Sequence, residues 1–87
     1  MKIKEGIVLR KMPGMTLAVA AGTMRREFPN ALVLNDTAVF IFEAMQKETD
    51  VETVSRAVAR EYGIEESRAR AAVEKTAADF KEAGILQ

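Results

Sequence analysis

The chain has 87 residues, and its 13 basic and 13 acidic side chains give a formal net charge of zero and a pI near 6.3. Hydrophobic residues make up 48% and charged ones 30%, with 5 Gly and 2 Pro, which excludes a disordered or collagen-like chain and fits one small folded domain. Cysteine and histidine are both absent. Disulfides, thiolate zinc sites, cysteine nucleophiles and the commonest proton shuttle are therefore missing, and with them the means of most hydrolase and transferase chemistry.

A chain of this size buries roughly 60–65% of the surface its unfolded form exposes, enough for a small core but not for a deep, enclosed active site. No apolar run approaches the ~18 residues of a membrane span. The start, Met1-Lys2-Ile3-Lys4-Glu5, lacks the apolar centre and cleavage site of a signal peptide. The expected protein is soluble and cytoplasmic, with no membrane partner.

In chain order, Ile7 to Met12 is β-prone and Met12-Pro13-Gly14-Met15 is a turn signal. Met15, Leu17, Val19 and Ala21 then alternate with Thr16, Ala18 and Ala20, which puts one face of a second strand on a core. Gly22 to Asn30 is polar and holds Pro29, so it reads as a connection, and Ala31 to Leu34 is a short third strand.

Asn35, Asp36 or Thr37 can cap the first helix, whose apolar stripe is Ala38, Ile41, Phe42 and Met45. Thr49 and Glu52 have capping-box spacing, worth about 1 kcal/mol, at the start of a second helix. That helix carries Val51, Val54, Ala57 and Val58 and closes at Tyr62-Gly63. The third runs from about Glu65 to Ala83 with Ala69, Ala72, Val73, Thr76, Ala77 and Phe80 on one stripe, and Ile85-Leu86 folds back onto the core. Strands over about 5–34 followed by helices over about 36–83 predict a compact α+β fold. It comprises a three-stranded antiparallel sheet and three helices, the last two spaced like a winged helix-turn-helix.

The chemistry-bearing residues point away from catalysis. Asp36, Glu43, Asp50, Glu52, Glu65, Glu66 and Asp79 lie at helix starts or on polar faces, where capping and solvation account for them. Ser55 and Ser67 have no histidine to activate them, and Gly22-Thr23 lacks the spacing and lysine of a phosphate loop. No metal site and no cofactor are expected.

A helix-turn-helix invites a DNA-binding reading, and the charge resists it. The first 34 residues hold six basic side chains (Lys2, Lys4, Arg10, Lys11, Arg25, Arg26) against Glu5 and Glu27, a net +4 balanced by −4 in the rest. The third helix has Arg68, Arg70, Lys75 and Lys81 against Glu65, Glu66, Glu74, Asp79 and Glu82, a net −1 where phosphate contacts need an excess of cations.

An exposed β edge remains. A three-stranded sheet has two edges, and an unpaired edge offers backbone donors and acceptors to an incoming strand. Only alternate residues turn their amides to that edge, so one of Leu32 and Val33 faces outward. Beside it, the small residues of the third helix (Ala69, Ala71, Ala72, Thr76, Ala77, Ala78) leave room for a groove, and they equally suit close helix packing.

Four segments carry a resemblance: Gly6-Ile7-Val8-Leu9-Arg10, Leu34-Asn35-Asp36-Thr37-Ala38-Val39-Phe40-Ile41-Phe42, Tyr62-Gly63-Ile64 and Glu82-Ala83-Gly84-Ile85-Leu86. In this order and spacing they resemble the PqqD-like family over nearly the whole chain, which makes residues 1–87 a single peptide-recognition domain. Members of that family recognise the leader of ribosomally made precursor peptides. The founding member chaperones the pyrroloquinoline quinone precursor to a radical enzyme. The resemblance implies that the leader adds as a strand on the third β-strand, in the cleft shared with the third helix. Carried over by position, the contact strand is Ala31, Leu32, Val33 and Leu34, and the facing positions are among Arg68, Ala71, Ala72, Lys75, Thr76 and Asp79. Ala72 stands where relatives often have aspartate, and Thr76 and Ala77 where they often have bulkier residues, which implies a roomier cleft. The expected protein is thus a non-catalytic RiPP recognition element, delivering a leader peptide to a modifying enzyme such as a radical S-adenosylmethionine maturase. A DNA-binding winged helix and a module that dimerises through the same edge are the alternatives.

Overall fold

The computed structural model describes residues 1–87. Strands β1 (Ile7–Met12), β2 (Met15–Ala20) and β3 (Leu32–Leu34) form one antiparallel sheet in the order β1-β2-β3, followed by helices α1 (Asp36–Ala44), α2 (Val51–Tyr62) and α3 (Glu66–Ala83). The α+β architecture is the expected one. β3 begins one residue later than Ala31, which is exposed and outside the ladder.

The helices cover one face of the sheet, and the core lies between them. Ile41, Phe42 and Met45 of the α1 segment, Val54 and Val58 of α2, and Ala69, Val73 and Phe80 of α3 are buried, with Phe42 and Phe80 edge to face at 6.1 Å between ring centres. From the sheet the core takes Ile7, Ala18 and Leu34. The small-residue face of β2 is thus the inner one: Ala18 is fully buried, whereas Met15 on the other face is half in solvent. An alanine here lets the helices sit close over the middle strand, and the larger Met15, Leu17 and Val19 face outward. Val8 and Met12 of β1 and Val33 of β3 add to that outer apolar surface.

Capping follows the hydrogen-bond geometry. Asn35 caps α1, its side-chain oxygen accepting from the Ala38 amide at 2.8 Å. For α2 the cap is Asp50 and not Thr49, because Asp50 Oδ1 accepts from the Thr53 amide at 2.7 Å, while the Thr49 amide donates to the Met1 carbonyl. That bond to Thr53 holds the Asp50 carboxyl below its ordinary range. Gly63 and Gly84 close α2 and α3 in the left-handed conformation (φ +63° and +83°), the role expected of glycine there.

Two parts of the chain carry structure that local pattern does not reveal. The polar connection contains a short 3₁₀ helix, Gly22–Arg26, and drops Phe28 into the core. At the other side, Ile3 pairs with Leu86, the Ile3 amide donates to the Met45 carbonyl and the Lys4 amide to the Ile85 carbonyl (both 2.8 Å), so Ile85 is fully enclosed. Ile85-Leu86 does fold back onto the core, held there by the first residues of the chain.

Candidate peptide groove

The site is built from one strand edge and one helix face. β3 pairs only with β2, so its other side is open. Which of its backbone groups face that opening follows from register. The Ala21 amide donates to the Gly6 carbonyl at 2.7 Å. Hydrogen-bonded pairs recur every second residue, so Val8↔Val19, Arg10↔Leu17 and Met12↔Met15 are the bonded pairs between β1 and β2. β2 therefore turns the backbone groups of Thr16 and Ala18 toward β3. Thr16↔Leu34 and Ala18↔Leu32 are the bonded pairs there, and Leu17↔Val33 is the non-bonded one. Val33 consequently presents its N–H and C=O to the open edge, and its side chain, 63% exposed, lies on the outer face of the sheet. Leu32 and Leu34 turn their side chains toward the helices.

Next to this edge lies a groove of about 340 Å³ walled by Leu32, Val33 and Leu34 on one side and by Ala72, Lys75, Thr76, Asp79 and Phe80 of α3 on the other. Its end is closed by Asn35, Thr37 and Ala38 at the start of α1. A more open depression at Leu32, Asp79, Glu82 and Ala83 continues it toward the C-terminal end of α3. The walls are small because α3 places Ala72 and Thr76 one turn apart, both half-buried, above the fully buried Ala69, Val73 and Phe80. Lys75 Nζ lies 3.2 Å from Asp79 Oδ2 along the rim.

Of the positions expected from sequence, Leu32, Val33, Leu34, Ala72, Lys75, Thr76 and Asp79 come together around this one groove. Ala31, Arg68 and Ala71 are exposed and do not line it. Arg68 sits a turn before Ala72, and Ala71 is rotated about 100° from it around α3. Asn35, Thr37, Ala38 and Phe80 line the groove without having been expected to. The charged side chains of the groove, Lys75 and Asp79, are exposed surface groups, and no group of three or more Asp or Glu side chains in the chain is placed to hold a metal ion. No helix is long and apolar enough to cross a membrane.

Residues 15–86 match the family model described as coenzyme PQQ synthesis protein D (PqqD). The fold is similar to that of a solved structure described as TbiB1 in complex with the TbiA(beta) leader peptide. The TM-score is 0.77 at 14% sequence identity, covering 100% of this chain and 95% of that one. No curated protein sequence matches the chain.

Proposed function

This chain belongs to the PqqD family, and from that premise we propose that it is a non-catalytic adaptor. It binds the leader of a ribosomally synthesised precursor peptide and presents it to a modifying enzyme, a radical S-adenosylmethionine maturase being the partner the family suggests. The leader adds as a strand against β3, with side chains entering the groove beside α3. The adaptor acts in the cytoplasm and needs no cofactor of its own. The observation that carries this reading is the meeting of an unpaired strand edge at Val33 with a groove walled by small residues. The similar fold of a protein solved with a leader peptide supports it.

Energetics indicate where affinity comes from. Val33 offers two outward backbone groups, each bond worth a net ~0.5–1.5 kcal/mol. Ordering a disordered peptide costs ~1–2 kcal/mol per residue fixed. Backbone pairing alone does not offset that cost, so binding depends on side chains seated in the groove at roughly 1.5–3 kcal/mol each. Release to the enzyme is compatible with affinity of this modest kind.

The test is a pair of titrations, one with a labelled dodecapeptide selected on the protein from a random display library and one with a labelled random-sequence DNA duplex. Peptide affinity is expected to change only a few-fold between about 50 and 200 mM salt, since apolar anchors and strand bonds dominate. Tight duplex binding that falls ~10³-fold over the same range, with no peptide selected, overturns the adaptor reading in favour of DNA binding.

A further inference from the structure

Register fixes which residues of an added strand can enter the groove. The peptide residue that exchanges backbone bonds with Val33 has its side chain on the same face as Val33, outward. Its two neighbours, opposite Leu34 and Leu32, point inward. For a peptide antiparallel to β3, the neighbour on its N-terminal side lies at Leu34 and the one on its C-terminal side at Leu32.

These two inward positions meet different chemistry. At Leu34 the walls are Thr37, Ala38, Ala72 and Thr76, small and half-buried, with no carboxylate among the lining residues at that end. A large apolar side chain fills that space, and a cation placed there lies away from Asp79, the one carboxylate that lines the groove, Asp36 lining a separate depression beside Leu34 and Asn35. At Leu32 the groove opens onto Asp79 and Glu82. Lys75 shares Asp79, whereas Glu82 makes no ion pair within the chain. The groove thus carries an apolar end and an acidic end, separated by the two-residue repeat of a strand.

Resting on the proposed strand addition, we propose that the groove reads a directional pair in its peptide: a large apolar residue followed, two positions later, by lysine or arginine. The apolar residue seats among Ala38, Ala72 and Thr76, and the cation meets Asp79 and Glu82. In the same antiparallel orientation, the reversed order sets the cation away from Asp79 and Glu82 and leaves the apolar side chain on an exposed carboxylate rim. For a strand antiparallel to β3, the order of the pair therefore sets affinity as much as its composition does.

The experiment is selection of a random dodecapeptide display library on the whole chain, repeated on the D79K/E82K double variant and on V33P. On the natural chain, the expected consensus is a large aliphatic or aromatic residue two positions before Lys or Arg. Replacing the apolar residue with alanine should lower affinity roughly 10- to 100-fold, and exchanging the order of the pair roughly ten-fold. On D79K/E82K the second position should turn to Asp or Glu while the first stays apolar. Binders that V33P abolishes but that show no such pair, or show it reversed, or stay basic on D79K/E82K, overturn this inference and leave strand addition standing. Binders indifferent to V33P, or a library that yields none, overturn strand addition and the inference together. The selection on the natural chain decides the question even if the double variant folds poorly, which its thermal melt would show.

Discussion

Proline substitution at two adjacent positions of β3 separates the edge from the ladder. Leu32 donates its amide to the buried Ala18 across the bonded pair, so Leu32→Pro removes one ladder bond and leaves the Ala18 carbonyl without a partner. The lost bond and the orphaned acceptor together cost about 2–4 kcal/mol. In a domain of this size that lowers Tm by roughly 10–25 °C. Val33 points its amide to the open edge and its side chain outward, so Val33→Pro should cost no more than about 1 kcal/mol, proline being tolerated where the N–H has no partner. Docking should respond in the opposite sense. Val33→Pro deletes the donor that an added strand needs and leaves the peptide carbonyl unpaired, a loss of at least about ten-fold in affinity. Thermal melts and fluorescence anisotropy with a library-selected dodecapeptide read the two effects separately. If Val33→Pro is as destabilised as Leu32→Pro, the register is wrong. If it is stable and binds normally, the peptide does not use this edge.

Three further expectations follow from named contacts. Ala72→Phe places a ring in the groove from a half-buried helix position, and should keep Tm within a few degrees while lowering peptide affinity at least about ten-fold; normal binding by anisotropy would contradict the groove. Asn35→Ala removes the α1 cap and should cost about 0.5–2 kcal/mol in denaturant titration. Asp50 has its pKa lowered in the folded state by the Thr53 amide, so its contribution to stability is full above the ordinary carboxylate range and fades as pH falls through the folded value. The Tm difference between the natural chain and Asp50→Ala should therefore shrink on acidification, and a difference that grows would contradict the cap.

How much of this was legible in the sequence depends on the range of the interaction involved. α2 and α3, with their glycine ends, follow from local apolar spacing and from residues that tolerate a left-handed conformation. The third strand as an edge follows from having three strands. By contrast, the burial of Ala18 and not Leu17 depends on how closely helices approach the sheet, which alternation alone does not encode. Asp50 and Thr49 are both good caps, and only the position of the Thr53 amide decides between them. Phe28 lies in a polar stretch, and the Ile3–Leu86 pairing joins opposite ends of the chain, so neither leaves a periodic signal. The groove shows the same division. Spacing on α3 points to small residues there, Ala72 and Thr76 among them, while Lys75 and Asp79 come only from the family resemblance, and Thr37 and Ala38 enter the groove because the start of α1 folds across its end. The signal for them was present in the β3-to-α1 junction: a helix that begins one residue after an edge strand keeps its first turn beside that edge.

Amide hydrogen exchange resolved by residue, on the free protein and on the protein loaded with a library-selected dodecapeptide, tests strand addition at β3 most directly. In the free protein the amides of Leu32 and Leu34, bonded to β2, should be protected and that of Val33 should exchange freely. Loading should protect Val33 by at least about ten-fold, with little change at Leu32 and Leu34. Tight binding that leaves Val33 exchanging as before, with new protection on the solvent face of α2 or α3 instead, would contradict it.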